Sequence, residues 1–380
     1  MAPSPRAQSE RLRRFFIALV MLGVLAVSTA TAMWVSHLRA PEGPPKLVVE
    51  DFGWFTMPRP VKWRAREVTQ DETAEHTGLT ALAVFSQTGH ETQHIMVYEL
   101  LTPEPVPPDF ALDFTFQHLP TATRQVRAPM RADGMMGLIG RGRVVGANQY
   151  VFEQFTAALT LDGRRYVLIN MLCPTQRAQE HLDLLARMAR GVVDQRYVAV
   201  DGPMRLPGVD QPVEIPEDVQ VYRRANQPEA DDVLITPAEG GAWWSLRMTP
   251  IRLDGADDFS DLLPADGISG SSPFPPEFKA LFSPDIKPTI ADRMLVAIAW
   301  VYWQAHGRLP TRPEWATVRH KGHDGYVAVI ETRLGDRKAF AVKLSDQRAV
   351  LMDLTTSSDA VALGQVAAAK IADAMLGTPQ

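Results

Sequence analysis

Phe55 to Arg64 reads FTMPRPVKWR, and Val213 to Tyr222 reads VEIPEDVQVY. The two align without a gap as apolar-x-apolar-Pro-x-x-Val-x-apolar. Phe55 pairs with Val213, Met57 with Ile215, Pro58 with Pro216, Val61 with Val219 and Trp63 with Val221. A ten-residue echo at this separation points to tandem domains, because solenoid repeats are much shorter. The expected division is a basic tail (1–14), a transmembrane anchor or uncleaved signal (15–35), a Pro-rich spacer (36–46), a first domain (47–200) and a second domain (201–380).

Other landmarks recur in the same order. Thr102-Pro103 closes a first expected hairpin (Leu79–Phe85 with Ile95–Leu101), and Thr249-Pro250 closes a second (Val233–Thr236 with Ala242–Met248). Asp109-Phe110 and Asp258-Phe259 each open a short helix. GANQYVFE from Gly146 aligns with GHDGYVAV from Gly322, setting Tyr150 against Tyr326. Asp162-Gly163 is a favoured hairpin turn between two apolar runs. Apolar stripes predict helices over Ala178–Val193 and Ser358–Leu376. The second copy is longer by an insertion, 264–314, whose apolar part Ile290–Ala305 reads as a helix docked between domains. An extra strand is expected near Val350–Leu354. Strands joined by hairpins, with one long terminal helix in each copy, predict an α+β class: an N-terminal transmembrane helix, then two tandem antiparallel-sheet domains.

Arg6, Arg11, Arg13 and Arg14 precede an uncharged run from Phe15 to Val35. As a helix it spans about 32 Å, enough for a hydrocarbon core. Positive charge in front places the N-terminus in the cytoplasm and the bulk in the periplasm or outside the cell. A cleaved signal peptide, with Ala30-Thr31-Ala32 as its small-x-small site, is the alternative. The chain carries a formal charge of -5, and the basic leader leaves the remainder more acidic still, which argues against nucleic acid as a partner. Cys173 is the sole cysteine, so no intramolecular disulfide forms.

Within each copy, the opening strand, the Pro58 corner followed by Val61-x-Trp63, the hairpins and the closing helix resemble the PsbP-like fold group. That group includes extrinsic photosystem subunits, Ran-binding Mog proteins and the DcrB-like bacterial lipoproteins. The resemblance implies a non-enzymatic module that docks on larger, often membrane-bound assemblies. It carries over no site residue, and Val221 stands where the first copy has Trp63.

His90-Glu91-Thr92-Gln93-His94 satisfies H-E-x-x-H, which on a helix turns two imidazoles toward one zinc and a carboxylate toward its water. The aligned position in the second copy is Glu239-Gly240-Gly241, so a solvated hairpin tip is the reading the duplication favours. Ala305 to Trp315 resembles a helix-turn-helix turn, but a capping box of Thr311 and Glu314 explains it. Arg124, Arg127, Arg131, Arg141 and Arg143 flank a glycine-containing stretch expected as a loop, either solvated or holding phosphate or lipid headgroups. Trp243, Trp244, Trp300 and Trp303 are either core or a partner surface. No G-x-S-x-G elbow appears.

The sequence therefore leans away from an enzyme and implies no cofactor. It predicts a membrane-anchored accessory protein of a bacterial envelope complex, held to the membrane by its N-terminal helix and bound to a protein partner. The alternatives are a small-molecule or lipid carrier with an inter-domain groove walled by Ile290–Trp303, and a zinc hydrolase using His90, Glu91 and His94.

Overall fold

The computed structural model describes residues 45–66, 68, 78–87, 90–118, 123–132, 135–145, 151–226, 232–239, 241–253, 289–311, 314–332 and 335–376. The expected transmembrane segment (15–35), nearly all of the spacer, the Asp258-Phe259 helix start and most of the expected insertion lie outside these residues. Among the described residues no helix is long and apolar enough to cross a membrane.

The first sheet has seven strands: β3 (Trp63–Arg66), β4 (Leu79–Gln87), β5 (His90–Leu101), β6 (Thr123–Ala132), β7 (Met135–Val145), β8 (Val151–Thr160) and β9 (Arg165–Pro174). Its order is β3-β4-β5-β9-β8-β7-β6, antiparallel throughout. The chain builds β3 to β5 by hairpins, crosses through helix α1 (Pro108–His118) to the far edge, and meanders back to the centre.

The second sheet repeats this path. Strands β12 (Val219–Arg224), β13 (Val233–Pro237) and β14 (Trp244–Arg252) lead into helix α3 (Ile290–His306). Strands β15 (Trp315–His320), β16 (His323–Thr332), β17 (Gly335–Lys343) and β18 (Arg348–Thr356) then return. The order β12-β13-β14-β18-β17-β16-β15 matches the first sheet strand for strand, with β11 (Tyr197–Val200) added at the edge beside β12. Each path ends in a helix, α2 (Ala178–Arg190) or α4 (Val361–Leu376). This is the expected α+β architecture in two tandem copies.

Each sheet carries helices on both faces. Alternate residues of β9 face opposite ways: Tyr166 and Leu168 belong to the cluster under α1, and Val167, Ile169 and Met171 to the cluster under α2. In β18, Leu351 faces α3, while Val350, Met352 and Leu354 face α4. A strand covered on both sides loses polar alternation, which is why β9 reads as the continuous apolar run YVLINMLC.

The strand order corrects three sequence expectations. Ile290–His306 stands where α1 stands, so it is the enlarged crossover helix of its own sheet and packs on β16 and β17. Val350–Leu354 is not an extra strand; it belongs to β18, the counterpart of β9. Tyr326 lies in β16, the counterpart of β7, whereas the run after Tyr150 is β8, so that alignment was one strand out of step. Successive strands of a meander share the same period-two pattern, and a short match cannot distinguish neighbours.

The opening repeat also diverges in form. Phe55–Pro60 is strand β2, held between β1 (Leu47–Asp51) and the two-residue β10 (Val193–Asp194). Strand β10 pairs only with Thr56 and Phe55, leaving the side where Pro58 and Pro60 offer no N–H unpaired. In the second copy, Val213 makes a lone bridge to Met204.

Candidate partner-binding groove

Helix α3 has strong local signals at both ends. Thr289 and Asp292 form a reciprocal capping box, and Gly307 takes the left-handed C-cap at φ +64°. That fixed end positions Tyr302, His306 and Arg308. A groove of about 490 Å³ lies beside them, lined also by Glu314, Trp315, Ala316, Val327 and Val329.

The polar groups of the groove are committed to one another. Tyr302 donates its hydroxyl to Glu314 Oε1 at 2.5 Å, and Arg308 donates to Glu314 Oε2 at 2.8 Å and to the Tyr302 oxygen at 2.9 Å. Thr311 donates both its amide and its hydroxyl to Glu314 Oε2, at 2.7 and 3.0 Å. The Arg308 guanidinium holds the Glu314 carboxyl far below the usual range. Burial, and donation to Glu314, push the Tyr302 phenol up to about 12. At neutral pH the pair is a fixed phenol and a fixed carboxylate, neither poised for general acid or base work. Only half of the expected Thr311–Glu314 box forms: Glu314 reaches back to the Thr311 amide, but the Glu314 N–H donates to the Thr311 carbonyl at 2.7 Å, and the pair closes a turn before β15, not a helix.

Aromatic rings surround this cluster. The rings of Tyr302 and His306 lie 4.5 Å apart, Arg308 sits 5.2 Å over Tyr302, and Trp315 meets Tyr326 edge-on at 5.7 Å. Trp300 and Trp303 stack at 5.3 Å on the same helix, half-buried against its core. Val329 is 47% exposed at the groove wall. Tyr, Trp and Arg around an open apolar wall is the composition of protein-binding hot spots.

The other predicted residues sit elsewhere. Trp243 and Trp244 are core, 4% and 3% exposed, which removes them from any partner surface. His90, Glu91 and His94 lie on strand β5. The motif is thus not a helix: it opens β5 directly after the β4–β5 turn, with Gln87 paired to His90 and Ser86 to His94 across a register irregularity. Among the described residues no group of three His, Cys, Asp or Glu side chains is placed to hold a metal. The arginine stretch forms the β6–β7 hairpin, not a loop. Arg127 meets Asp109 and Asp113, Arg141 and Arg143 share the buried Glu153, and Arg131 donates to the Pro237 carbonyl at 3.2 Å. The Arg124 side chain lies outside the described residues.

A second groove, of about 360 Å³, runs between the two sheets, lined by residues including Arg131, Leu161, Val193, Tyr197 and Tyr222. No residue of α3 lines it, in contrast to the expected wall. Beside it the two copies are joined by buried polar contacts. Arg337 pairs bidentately with Asp353 at 2.9 and 2.7 Å, and Gln304 accepts from Arg164 and from Arg337, each at 3.2 Å. Glu104 of the first copy lies 3.5 Å from Arg337.

No protein-family model matches the chain, and no curated protein matches it. Among solved structures it is similar to the cyanobacterial PsbP of Synechocystis sp. PCC 6803, at 15% identity and TM-score 0.31, over 40% of this chain and 95% of that one. The chain is also similar to LpqN of Mycobacterium tuberculosis, a protein involved in cell envelope biogenesis, at 15% identity and TM-score 0.27, over 39% and 90%. The T6SS immunity protein TplEi of Pseudomonas aeruginosa matches over 82% of this chain and 87% of that one, at 12% identity and TM-score 0.18.

Proposed function

We propose that this chain is a membrane-anchored interaction protein of a bacterial envelope, with its bulk in the periplasm or outside the cell and no catalysis of its own. The groove at the end of α3 carries this reading. It offers aromatic rings, an arginine and an exposed valine wall, while its phenol and carboxylate are held in fixed protonation states. Such a surface can bind a protein and has little with which to transform one. The uncharged run from Phe15 to Val35, behind four arginines, supports the anchor.

The test is cross-linking with mass spectrometry on the tagged full chain in its host, comparing wild type with Val329→Glu. One dominant protein, lost in the variant, is the expected result. A resident membrane complex would make the chain an accessory subunit, and a hydrolase or other toxin would make it an immunity protein. Recovery of the chain with no partner at all would overturn the reading.

The inter-sheet groove favours one rival, a carrier of small molecules. Native mass spectrometry of the purified full chain would then show a co-purifying ligand, and Leu161→Trp would expel it.

A further inference from the structure

Each of the two large sheets has two outer strands, and three of these four carry the devices that keep sheet edges from pairing. Strands β3 and β11 are only four residues long. Strand β6 carries Pro129 and a register irregularity between Arg124 and Val126. Helix α2 packs on β6, and the second copy reaches it through the Pro237 carbonyl and through Gly241, where an added β-carbon would lie 2.9 Å from Pro129 Cγ. Strand β15, the counterpart of β6, lacks these devices. Its sequence, WATVRH, holds no proline or lysine. Its register with β16 runs unbroken from Trp315 opposite Ala328 to His320 opposite His323. Helix α4 packs on β14 and β18, and meets β15 through Asp373 at His320.

The β15–β16 turn fixes which backbone groups face outward. Lys321 and Gly322 both take positive φ, +46° and +84°, the type I′ form of a two-residue hairpin. Such a turn makes His320 and His323 a hydrogen-bonded pair. Antiparallel alternation then bonds Val318 to Gly325 and Ala316 to Val327. It turns the N–H and C=O of Trp315, Thr317 and Arg319 away from β16. Among the described residues no strand pairs with that side. The outer side of β15 thus presents alternate donors and acceptors at the spacing of another strand.

We propose that β15 takes up an extended segment of the protein partner as an added strand, with one large apolar side chain of that segment seated in the groove at the end of α3. This rests on the reading that the chain binds a protein at that groove, and it names the form the bound segment takes. The outer strand and the groove adjoin: Trp315 and Ala316 belong to β15 and to the groove wall. Val329, also in that wall, lies one residue past Ala328, the partner of Trp315 in the last pair of β15, so an added strand passes over it. Main-chain hydrogen bonds supply affinity in this mode of recognition, and the pocket supplies choice of side chain. Charge does little of the selecting. Arg308 is held by Glu314, Arg319 lies 3.6 Å from Asp324, and Lys321 lies 3.3 Å from Asp373. A second copy fits less well. Two-fold pairing about Thr317 would set Arg319 of each copy beside Trp315 of the other, bringing a guanidinium to a groove that already holds Arg308 and leaving its apolar wall unfilled.

Hydrogen exchange on the purified full chain, read residue by residue, is the first test. The Thr317 and Arg319 amides are expected to exchange far faster than those of Val318 and His320, which bond to β16. Protection of Thr317 and Arg319 in the chain alone would mean that another segment of the chain already covers the edge. Protection that grows with concentration would assign the edge to a second copy. Either result would overturn the proposal. Cross-linking in the host is the second test. Thr317→Pro removes an outward N–H and spares the ladder to β16, so it is expected to fold with a thermal midpoint near that of the unmodified chain. It is expected to lower capture of the partner several-fold more than Thr317→Ala, which keeps the amide. Arg319→Pro, at the other outward position, takes its place if Thr317→Pro does not fold. Equal losses in Thr317→Pro and Thr317→Ala would show a side-chain contact and overturn strand addition. A partner kept by folded Thr317→Pro but lost in Val329→Glu would also overturn it, while leaving the groove reading intact. No partner in the unmodified chain would end both.

Discussion

The Trp243 ring rests on the backbone of Gly163. A β-carbon added at Gly163 would lie 3.0 Å from Trp243 Cη2 and 3.0 Å from the Val106 carbonyl oxygen. Gly163 also sits at φ +73°, a conformation that side chains resist. The Asp162-Gly163 turn of the first sheet is therefore both a hairpin turn and a docking point for the second. Leu161, beside it, is buried with Tyr222 and Leu234.

Gly163→Ala combines left-handed strain with a close contact at the junction. It is expected to destabilise the protein by about 2 kcal/mol. The change is measured as the denaturation midpoint, with Trp243→Phe as a companion that relieves the ring contact. A loss indistinguishable from zero would mean that the turn is not packed against the ring.

The Arg337–Asp353 pair is almost wholly buried, with side chains 1% and 8% exposed. Removing one partner strands a buried charge, and Arg337→Ala is expected to cost about 3–5 kcal/mol. Replacing both with Arg337→Met and Asp353→Leu is expected to cost far less than the sum of the single changes. Additive losses in this cycle would show that the pair is not coupled.

Acid should weaken the fold through its depressed carboxylates. The Glu153 carboxyl is lowered first by donation from Arg141, against the opposing effect of burial. For Asp353, burial works to raise the carboxyl, but Arg337, together with Arg164 and Arg247, leaves it lowered. Groups of this sign contribute stability above the unfolded carboxylate range and lose it as pH falls through their folded values. Glu104 has the opposite sign, since burial raises it despite Arg337. Its effect favours the folded state at low pH and fades as pH rises. Glu104→Gln should therefore gain stability relative to wild type between pH 4 and 7, read from urea midpoints. A relative loss over that interval would reverse the assignment.

Zinc and chelators should leave the thermal midpoint unchanged, because H-E-x-x-H chelation needs both imidazoles on one face of a helix and this motif opens strand β5. His90→Ala should behave as wild type in the same scan. A midpoint raised by zinc and insensitive to zinc in His90→Ala would restore a metal site.

Features with local causes were legible. Asp162-Gly163 announces a turn because glycine tolerates positive φ, and the apolar spacing along Ala178–Arg190 and Val361–Leu376 announces helices. The capping box at Thr289 and Asp292, with Gly307 beyond the last turn, was equally present in the sequence and marks α3 at both ends. Long-range partners carried no such signature. The arginines at 127, 141 and 143 read as solvated until β7, β8 and α1 brought Glu153, Asp109 and Asp113 to them. Trp315 lay within a stretch read only for its turn, and its place in the groove depends on the end of α3.

By itself the sequence determined that the chain is duplicated, strand-rich and closed by a helix in each copy. Those properties follow from periodicity and turn chemistry within a few residues. Only the tertiary structure decided that β18 pairs with β14 and β9 with β5, that Ile290–His306 is a crossover helix, and that Trp243 is core while Leu363 is surface. Antiparallel pairing has the same local pattern whichever neighbour is chosen. The choice is made by which faces find cover, a property of the assembled sheet and helices, not of any one strand.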